Sequence, residues 1–344
     1  MRVLLVSTLR NEGPHLLEWI AHHRAIGVTD FLLFSNDCSD GTDAMLDALA
    51  PAGVVHLHNT PAPGKSLQWS ALKTAWAHDL RKRCSHILGI DCDEFVNLRA
   101  PLTDLADLWH AAGDPDALVL PWRLFGHNGQ ARLTPGPSCE LFSRAAPPGC
   151  AYPVGATQFK TLFRAPGPFR QIGVHRPRAK RKLAAPARWA DGCGKAMPPE
   201  FAQAEQRITL FGLPEASALV QLNHYSVRSA ESFMIKRARG LPNRRAKPID
   251  LTYWVERNFN TVEDSSIARL AGGTRAVLAD LMALPGVADL HRAAIAHHHA
   301  RFEALMRDPA EVQLYGRLLL ADSSAPLAGG IVNDLIARYR ASHG

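Results

Sequence analysis

Three carboxylates stand in one short stretch: Asp91, Asp93 and Glu94 follow the apolar run Ile87-Leu88-Gly89-Ile90, and Phe95 and Val96 come next. Such a run reads as a buried strand of a parallel sheet. Ligands of open α/β sheets sit beyond the carboxyl ends of the strands, so these acids arrive where a ligand would be. Residues i and i+2 of an extended chain point the same way, so Asp91 and Asp93 can face one ion. Like charges that close repel, and one carboxyl keeps its proton unless a cation sits between them. Oxygen donors suit Mg²⁺ or Mn²⁺, which leave room for substrate phosphates. The plainer reading of the same residues is a strand end followed by a solvated acidic turn.

The elements that would position these acids alternate strand and helix. Strands are expected at Arg2 to Val6, Asp30 to Phe34, Val54 to His58 and again at the acidic stretch. Helices are expected at His15 to Ile26, stopped by Gly27, near Asp43 to Leu49, and over Ser66 to Arg83. Four such repeats argue for a parallel sheet with right-handed crossovers. Two loops at strand ends carry polar side chains: Arg10-Asn11-Glu12, and Asn36-Asp37-Cys38-Ser39-Asp40. Ser39 and Asp40 also suit a helix cap, whereas Asn36 and Asp37 sit where a ligand would touch them. No GxGxxG follows a strand and no GxxxxGK[ST] occurs, which excludes dinucleotide and P-loop readings.

Further along, Leu118 to Gly129 is a strand turning into a loop, with Trp122 and Phe125 suited either to stack on a sugar or to fill the core. Pro135 to Phe142 enters a helix with Glu140 in its first turn, where a carboxylate complements the helix dipole or serves as a base. Strands are expected at Gln158 to Phe163, holding Lys160, and at Leu219 to Tyr225, and Gln171 to Arg178 reads as another strand end, carrying His175. The basic run Arg176 to Lys182 reads as a solvated loop, or as arginines that touch phosphates or an anionic acceptor. Ser229 to Gly240 is an amphipathic helix. Past about Asn243 the pattern is helical, over Val262 to Leu270, Arg275 to Leu284 and Val287 to Arg307. His297, His298 and His299 cannot all face one metal from consecutive helical positions and read as surface.

A chain of 344 residues can bury a large core, and 47% hydrophobic with 21% charged residues is ordinary for a globular protein. The net charge of +7 suggests an anionic ligand, polymer or surface. No nucleic-acid-binding pattern accompanies it, so nucleic acid is not expected as a partner. Six cysteines without a CxxC pair read as reduced thiols. No signal peptide is evident at the start and no apolar run reaches the ~20 residues of a membrane span. The expected location is cytoplasmic, with peripheral contact with a membrane open.

Taken in order, Arg10-Asn11-Glu12, Leu17-Glu18-Trp19-Ile20, His23, Gly27, Asn36 to Thr42, Asp91-Cys92-Asp93-Glu94-Phe95, Trp122 to Gly126, His224-Tyr225, Ser229 and Lys236 to Gly240 resemble the glycosyltransferases of the GT-A fold. More narrowly the chain is similar to the bacterial family 2-like branch related to the family 92 galactosyltransferases, over about residues 1 to 260. Cys38 departs from the residue, commonly Ser, that relatives carry in that loop. The resemblance implies an α/β, GT-A-type, mostly parallel central sheet flanked by helices. The glycosyltransferase domain would be 1–240, with a nucleotide-binding half at about 1–97 and an acceptor half at about 98–240, and a helical extension would cover 241–344.

It also implies a nucleotide-sugar donor, by family habit a UDP-sugar, a Mn²⁺ or Mg²⁺ ion, and a glycan acceptor. Thr8, Arg10, Asn11, Glu12, Asn36, Asp37, Gln68, Asp91 and Cys92 would surround the donor. Asp91 and Asp93 would hold the ion, with His175 or His224 as a third protein ligand. Trp122, Phe125, Gly126, Lys160, Tyr225 and Lys236 would meet the substrates. The expected chemistry is inverting transfer, with Glu140 as the base and Glu94 as its rival. Two other classes compete. A sugar-nucleotide pyrophosphorylase would want a glycine-rich basic loop that Arg10 to Gly13 does not supply. A non-catalytic carbohydrate- or polyanion-binding protein would not need the three acids. The donor sugar, the acceptor and the oligomeric state are not written in any motif.

Overall fold

The computed structural model describes residues 1–240 and 249–343. Its first four strands are β1 (Val3–Leu9), β2 (Asp30–Ser35), β3 (Val54–His58) and β4 (His86–Gly89), all parallel, in the spatial order β3-β2-β1-β4. The crossovers are α1 (Gly13–Ala25), α2 (Thr42–Ala48) and α3 (Leu67–Ala77). Val, Leu and Phe dominate β1 and β2 because both faces of the sheet are covered. Leu5, Phe31 and Leu33 enter one core, while Leu4, Val6, Leu32 and Phe34 enter the other.

Beyond β4 the sheet becomes mixed. The strand Phe159–Arg164 runs antiparallel between β4 and β6 (Ala117–Leu124), the strand Val220–His224 runs parallel to β6, and β5 (Glu94–Leu98) closes the edge antiparallel to it. The fold is therefore the expected α/β type: a mostly parallel central sheet flanked by helices, with helices following it. Two of those, Ala271–Met282 and Val287–Leu305, lie across α1. A Cβ on Gly13 would stand only 2.5 Å from the Cβ of Ala294, so that crossing needs a glycine. Among the described residues no helix is long and apolar enough to cross a membrane, and the six cysteines are free.

Several local expectations are corrected. The helix expected over Ser66 to Arg83 stops at Ala77, because His78 is extended and its imidazole accepts the amide of Leu80, starting a separate turn at Asp79–Lys82. Val262 to Leu270 is not a helix. Val262–Glu263 pairs with Arg144–Ala145, and Asp264 takes the amide and hydroxyl of Ser266 before a 3₁₀ turn. The strand end expected over Gln171 to Arg178 comes at Gln171, closing the short strand Phe169–Gln171. Arg176 is not solvated. Its guanidinium stacks 4.3 Å from the Trp189 ring and donates to the carbonyls of Phe201 and Ala204. His298 is buried against Ser232, and His299 pairs with Glu231. The anticipated boundary after residue 240 and the helical onset near Asn243 fall at residues 241–248, outside the described part.

Candidate active site

A cleft of about 540 Å³ opens beyond the carboxyl ends of β1 and β4. Of the residues singled out in the sequence, Thr8, Arg10, Glu12, Gln68, Asp91, Cys92, Asp93, Trp122, His175, His224 and Lys236 line it. Trp69, Arg178, Glu205, Arg239, Tyr253 and Arg257 line it too. These carried no assignment in the sequence, because their segments meet only in three dimensions. Two of them had a signal: Arg239 in the Lys236 to Gly240 motif, and Arg178 in the basic run Arg176 to Lys182.

Each acid of the Asp-Cys-Asp stretch is closed by a lysine. Asp91 Oδ2 accepts from Lys160 Nζ at 2.8 Å, and its Oδ1 from Gln68 at 3.3 Å. Asp93 Oδ2 accepts from Lys236 Nζ at 2.7 Å, and its Oδ1 lies 3.5 Å from His224 Nε2. Burial alone would push the Asp93 carboxyl up, but Lys236 and His224 overcome it and hold it well below the usual range. Burial likewise opposes the Lys160 ammonium, yet Asp91 and Glu94 keep it charged. Glu94 itself is fully buried, accepts the amide of Asp91 at 2.7 Å and lies 3.5 Å from Lys160. Burial pushes its carboxyl well up.

His224 and His175 are both kept neutral, primarily by burial, His175 down to about 4. A neutral imidazole beside carboxylates is a donor set that a hard or borderline divalent ion accepts. The types fit, and His224 is the imidazole that meets Asp93. His175 instead turns its Nδ1 to the carbonyl of Phe159 at 3.0 Å. As they stand, the ligands are not yet gathered. Among the described residues the group of three close enough to share an ion is Asp47, His56 and His58, at the sheet edge.

Asn11 and Asp37 end β1 and β2 in left-handed backbone (φ 51 and 48), which Asn and Asp tolerate best. Asn11 is spent on Ser39, with its Oδ1 accepting the Ser39 amide at 2.8 Å. It borders, with Asp37, a neighbouring cavity of about 380 Å³ on the far side of Arg239. Arg239 stands between the two cavities, donating to Glu12 and to the carbonyls of Arg10 and Asn11. Arg228, also on Glu12, donates to the Cys92 carbonyl at 2.8 Å and so fixes the acidic turn.

Several sequence expectations do not reach the cleft. Glu140, the expected base, is exposed, pairs with Arg275 at 2.7 Å and sits beside α1. Glu94, its rival, is sealed under Asp91. Lys160 lies beneath the floor, bound to Asp91 rather than open to substrate. Phe125 is fully buried, with its ring 4.9 Å from that of Tyr225. Tyr225 is buried, with its hydroxyl accepting from Asn223. Gly126 gives room to Asn260 and the carbonyl of Phe259. Asn36 is buried at the end of β2, away from the cleft.

Residues 6–124 match the family model described as Glycosyltransferase family 92. Over 99 residues the chain is 32% identical to a glycosyltransferase family 92 protein of Ricinus communis, covering 27% of this chain and 17% of that protein. The chain thus spans about a sixth of the length of the curated relative it matches. Among solved structures, similarity extends to Staphylococcus aureus TarS 1–349 (14% identity, TM-score 0.31, 48% of this chain and 47% of that one). It also extends to a putative glucose-1-phosphate thymidylyltransferase of Bacillus anthracis (10% identity, TM-score 0.25, 39% and 61%). At TM-scores this low nothing about this chain follows from them. The segment that carries β1 to β4, the acidic turn, β5 and β6 is the segment that matches, and through it the chain is related to glycosyltransferase family 92.

Proposed function

We propose that the cleft transfers a sugar from a nucleoside-diphosphate donor to a glycan hydroxyl with the help of a divalent ion. The observation that carries this is the placement of Asp91 and Asp93 at the end of β4, facing a cleft ringed by Arg10, Arg178, Lys236, Arg239 and Arg257. Its volume lies in the range that takes a substrate-sized ligand. The cations suit a diphosphate. The donor's nucleoside would lie along Thr8, Arg10, Gln68 and Cys92, with Trp69 and Tyr253 as aromatic walls.

Asp91, Asp93 and His224 would hold Mn²⁺ or Mg²⁺, which when bound supplies positive charge to the departing diphosphate. Binding there requires Lys236 to give up an oxygen of Asp93, which frees its ammonium for phosphate. Lys160 stays below, offsetting Asp91 and Glu94. Among the described residues four carboxylates line the cleft. Asp91 and Asp93 hold lysines, and Glu12 holds Arg228 and Arg239. Glu205 is bonded through Oε1 to the Ala179 amide, leaving it the carboxylate best able to take the acceptor proton. The acceptor oxygen, its proton passing to Glu205, would bond to the anomeric carbon from the face opposite the diphosphate as the bond to the diphosphate breaks, which inverts the centre. Residues 1–240 would form most of the catalytic domain, Tyr253 and Arg257 would complete its cleft, and the helices Ala271–Met282 and Val287–Leu305 would brace α1. Calorimetric titration with UDP, with and without Mn²⁺, tests the reading together with release of sugar from a donor panel. Metal-dependent nucleotide binding is expected, and the absence of any nucleotide binding would overturn it.

A further inference from the structure

Trp122 has two sides. One borders the cleft, its ring 4.2 Å from that of His224. The other closes a separate pocket of about 110 Å³, walled by Leu124, Ala146, Ala156, Leu213 and Ala216. Into this apolar pocket β6 also sends Arg123, whose side chain is 10% exposed.

Arg123 is not satisfied by the protein. Its nearest anion among the described residues is Asp264, 3.9 Å away, too far for a hydrogen bond. Asp264 is already taken by the amide and hydroxyl of Ser266 and by Gln221 at 2.9 Å. Arg123 Nε is buried without a partner, and so is the indole Nε1 of Trp122 on the neighbouring residue. A buried guanidinium with unmet donors costs free energy unless something supplies oxygens. Glu215 stands exposed at the rim and is occupied by the Ser217 hydroxyl at 2.9 Å.

We propose that this pocket binds a carboxylate carried by the acceptor, received by Arg123. A planar carboxylate matches the fork of one arginine. A phosphate dianion is disfavoured, because the pocket offers one cation among apolar walls and keeps a glutamate at its mouth. The acceptor class is thereby an acidic sugar, such as a uronic acid or a sugar bearing a carboxyalkyl group. That assignment to the acceptor rests on the glycosyl-transfer reading, whereas the binding of a carboxylate does not.

Cys150, half-buried, lines the same pocket, so alkylation of Cys150 followed by peptide mass spectrometry reports occupancy without a variant. D-Glucuronate is expected to protect Cys150 saturably, glucose at equal concentration not to, and inorganic phosphate to protect far less. Arg123→Gln is expected to weaken protection by at least about tenfold, the loss of a charge-assisted bond, without lowering the melting temperature. Glu215→Gln, which removes the rim charge, is expected to strengthen it. Equal protection in wild type and Arg123→Gln, or no protection by glucuronate, overturns the proposal. So does phosphate protecting better than glucuronate. UDP titration of the same samples separates the two readings. Carboxylate protection in a protein that binds no nucleotide sinks the transfer reading and leaves the pocket, while nucleotide binding without protection sinks the pocket alone.

Discussion

The two sides of Trp122 treat charge in opposite ways. On the cleft side the acids and their cations are matched: Asp91 with Lys160, Asp93 with Lys236, Glu12 with Arg228 and Arg239. On the pocket side the nearest carboxylate to Arg123 among the described residues, Asp264, lies 3.9 Å away and is already held by others. A matched set is at rest until a ligand of higher charge competes for it. An unmatched cation already lacks the oxygens that a ligand would bring. The cleft is thus suited to exchange partners during a reaction, and the pocket to recognise one.

That contrast can be broken or sharpened by substitution. The largest effect is expected from Asp93→Ala, which removes a proposed ion ligand and strands Lys236. Transfer should fall by about a thousandfold or more, several kcal/mol of transition-state stabilisation, with loss of metal-dependent UDP binding. Unchanged binding by calorimetry would count against the ion site. Lys160→Met leaves the buried Glu94 without its cation beside a half-exposed Asp91, and stability should drop by about 2–3 kcal/mol in urea unfolding, less than for a fully buried pair. Adding Glu94→Gln should recover much of it, since that carboxyl is the one burial opposes. A fully stable Lys160→Met protein would show that the pairs are not matched as described.

Glu205→Gln is expected to cut kcat by about a hundredfold or more while sparing UDP affinity. Glu140→Gln should stay near wild type, because its exposed pair with Arg275 is worth less than about 1 kcal/mol. The reverse ranking would restore Glu140 as the base. A smaller effect is expected with pH. His22 and His175 are held neutral by burial down to about 4, below the ordinary 6.5. The unfolded chain therefore binds protons that the folded one refuses. Stability should be full above about pH 6.5 and fall as the pH drops toward 4, by about 1.4 kcal/mol per pH unit for each histidine at most. Urea midpoints at pH 7 and pH 5 that coincide would show that these imidazoles are open to protons.

The four parallel strands and the acidic turn were legible because period and composition are local properties. Val, Leu and Phe running through β1 and β2 announce two covered faces, and polar residues at strand ends announce a ligand edge. The roles of single residues were less legible. Phe125 and Tyr225 belong to an aromatic pattern that fits a sugar platform and a core equally well, and the core took them. Glu18 and His22, polar in a helix that otherwise shows an apolar side, are buried because distant segments cover them: Glu18 accepts the amides of Ser138 and Cys139, and His22 meets Thr274.

By itself the sequence determined which strands are buried, where the sheet's ligand edge lies, and that two aspartates stand on it, since each follows from residues a few positions apart. Only the tertiary structure decided which lysine balances which aspartate, that Glu140 faces away while Glu205 faces in, and that the Arg123 Nε is left without an acceptor. Those outcomes depend on distances between segments far apart along the chain, such as Lys160 to Asp91 at 2.8 Å and Lys236 to Asp93 at 2.7 Å. No local pattern encodes such a distance, because it is set by how whole elements pack.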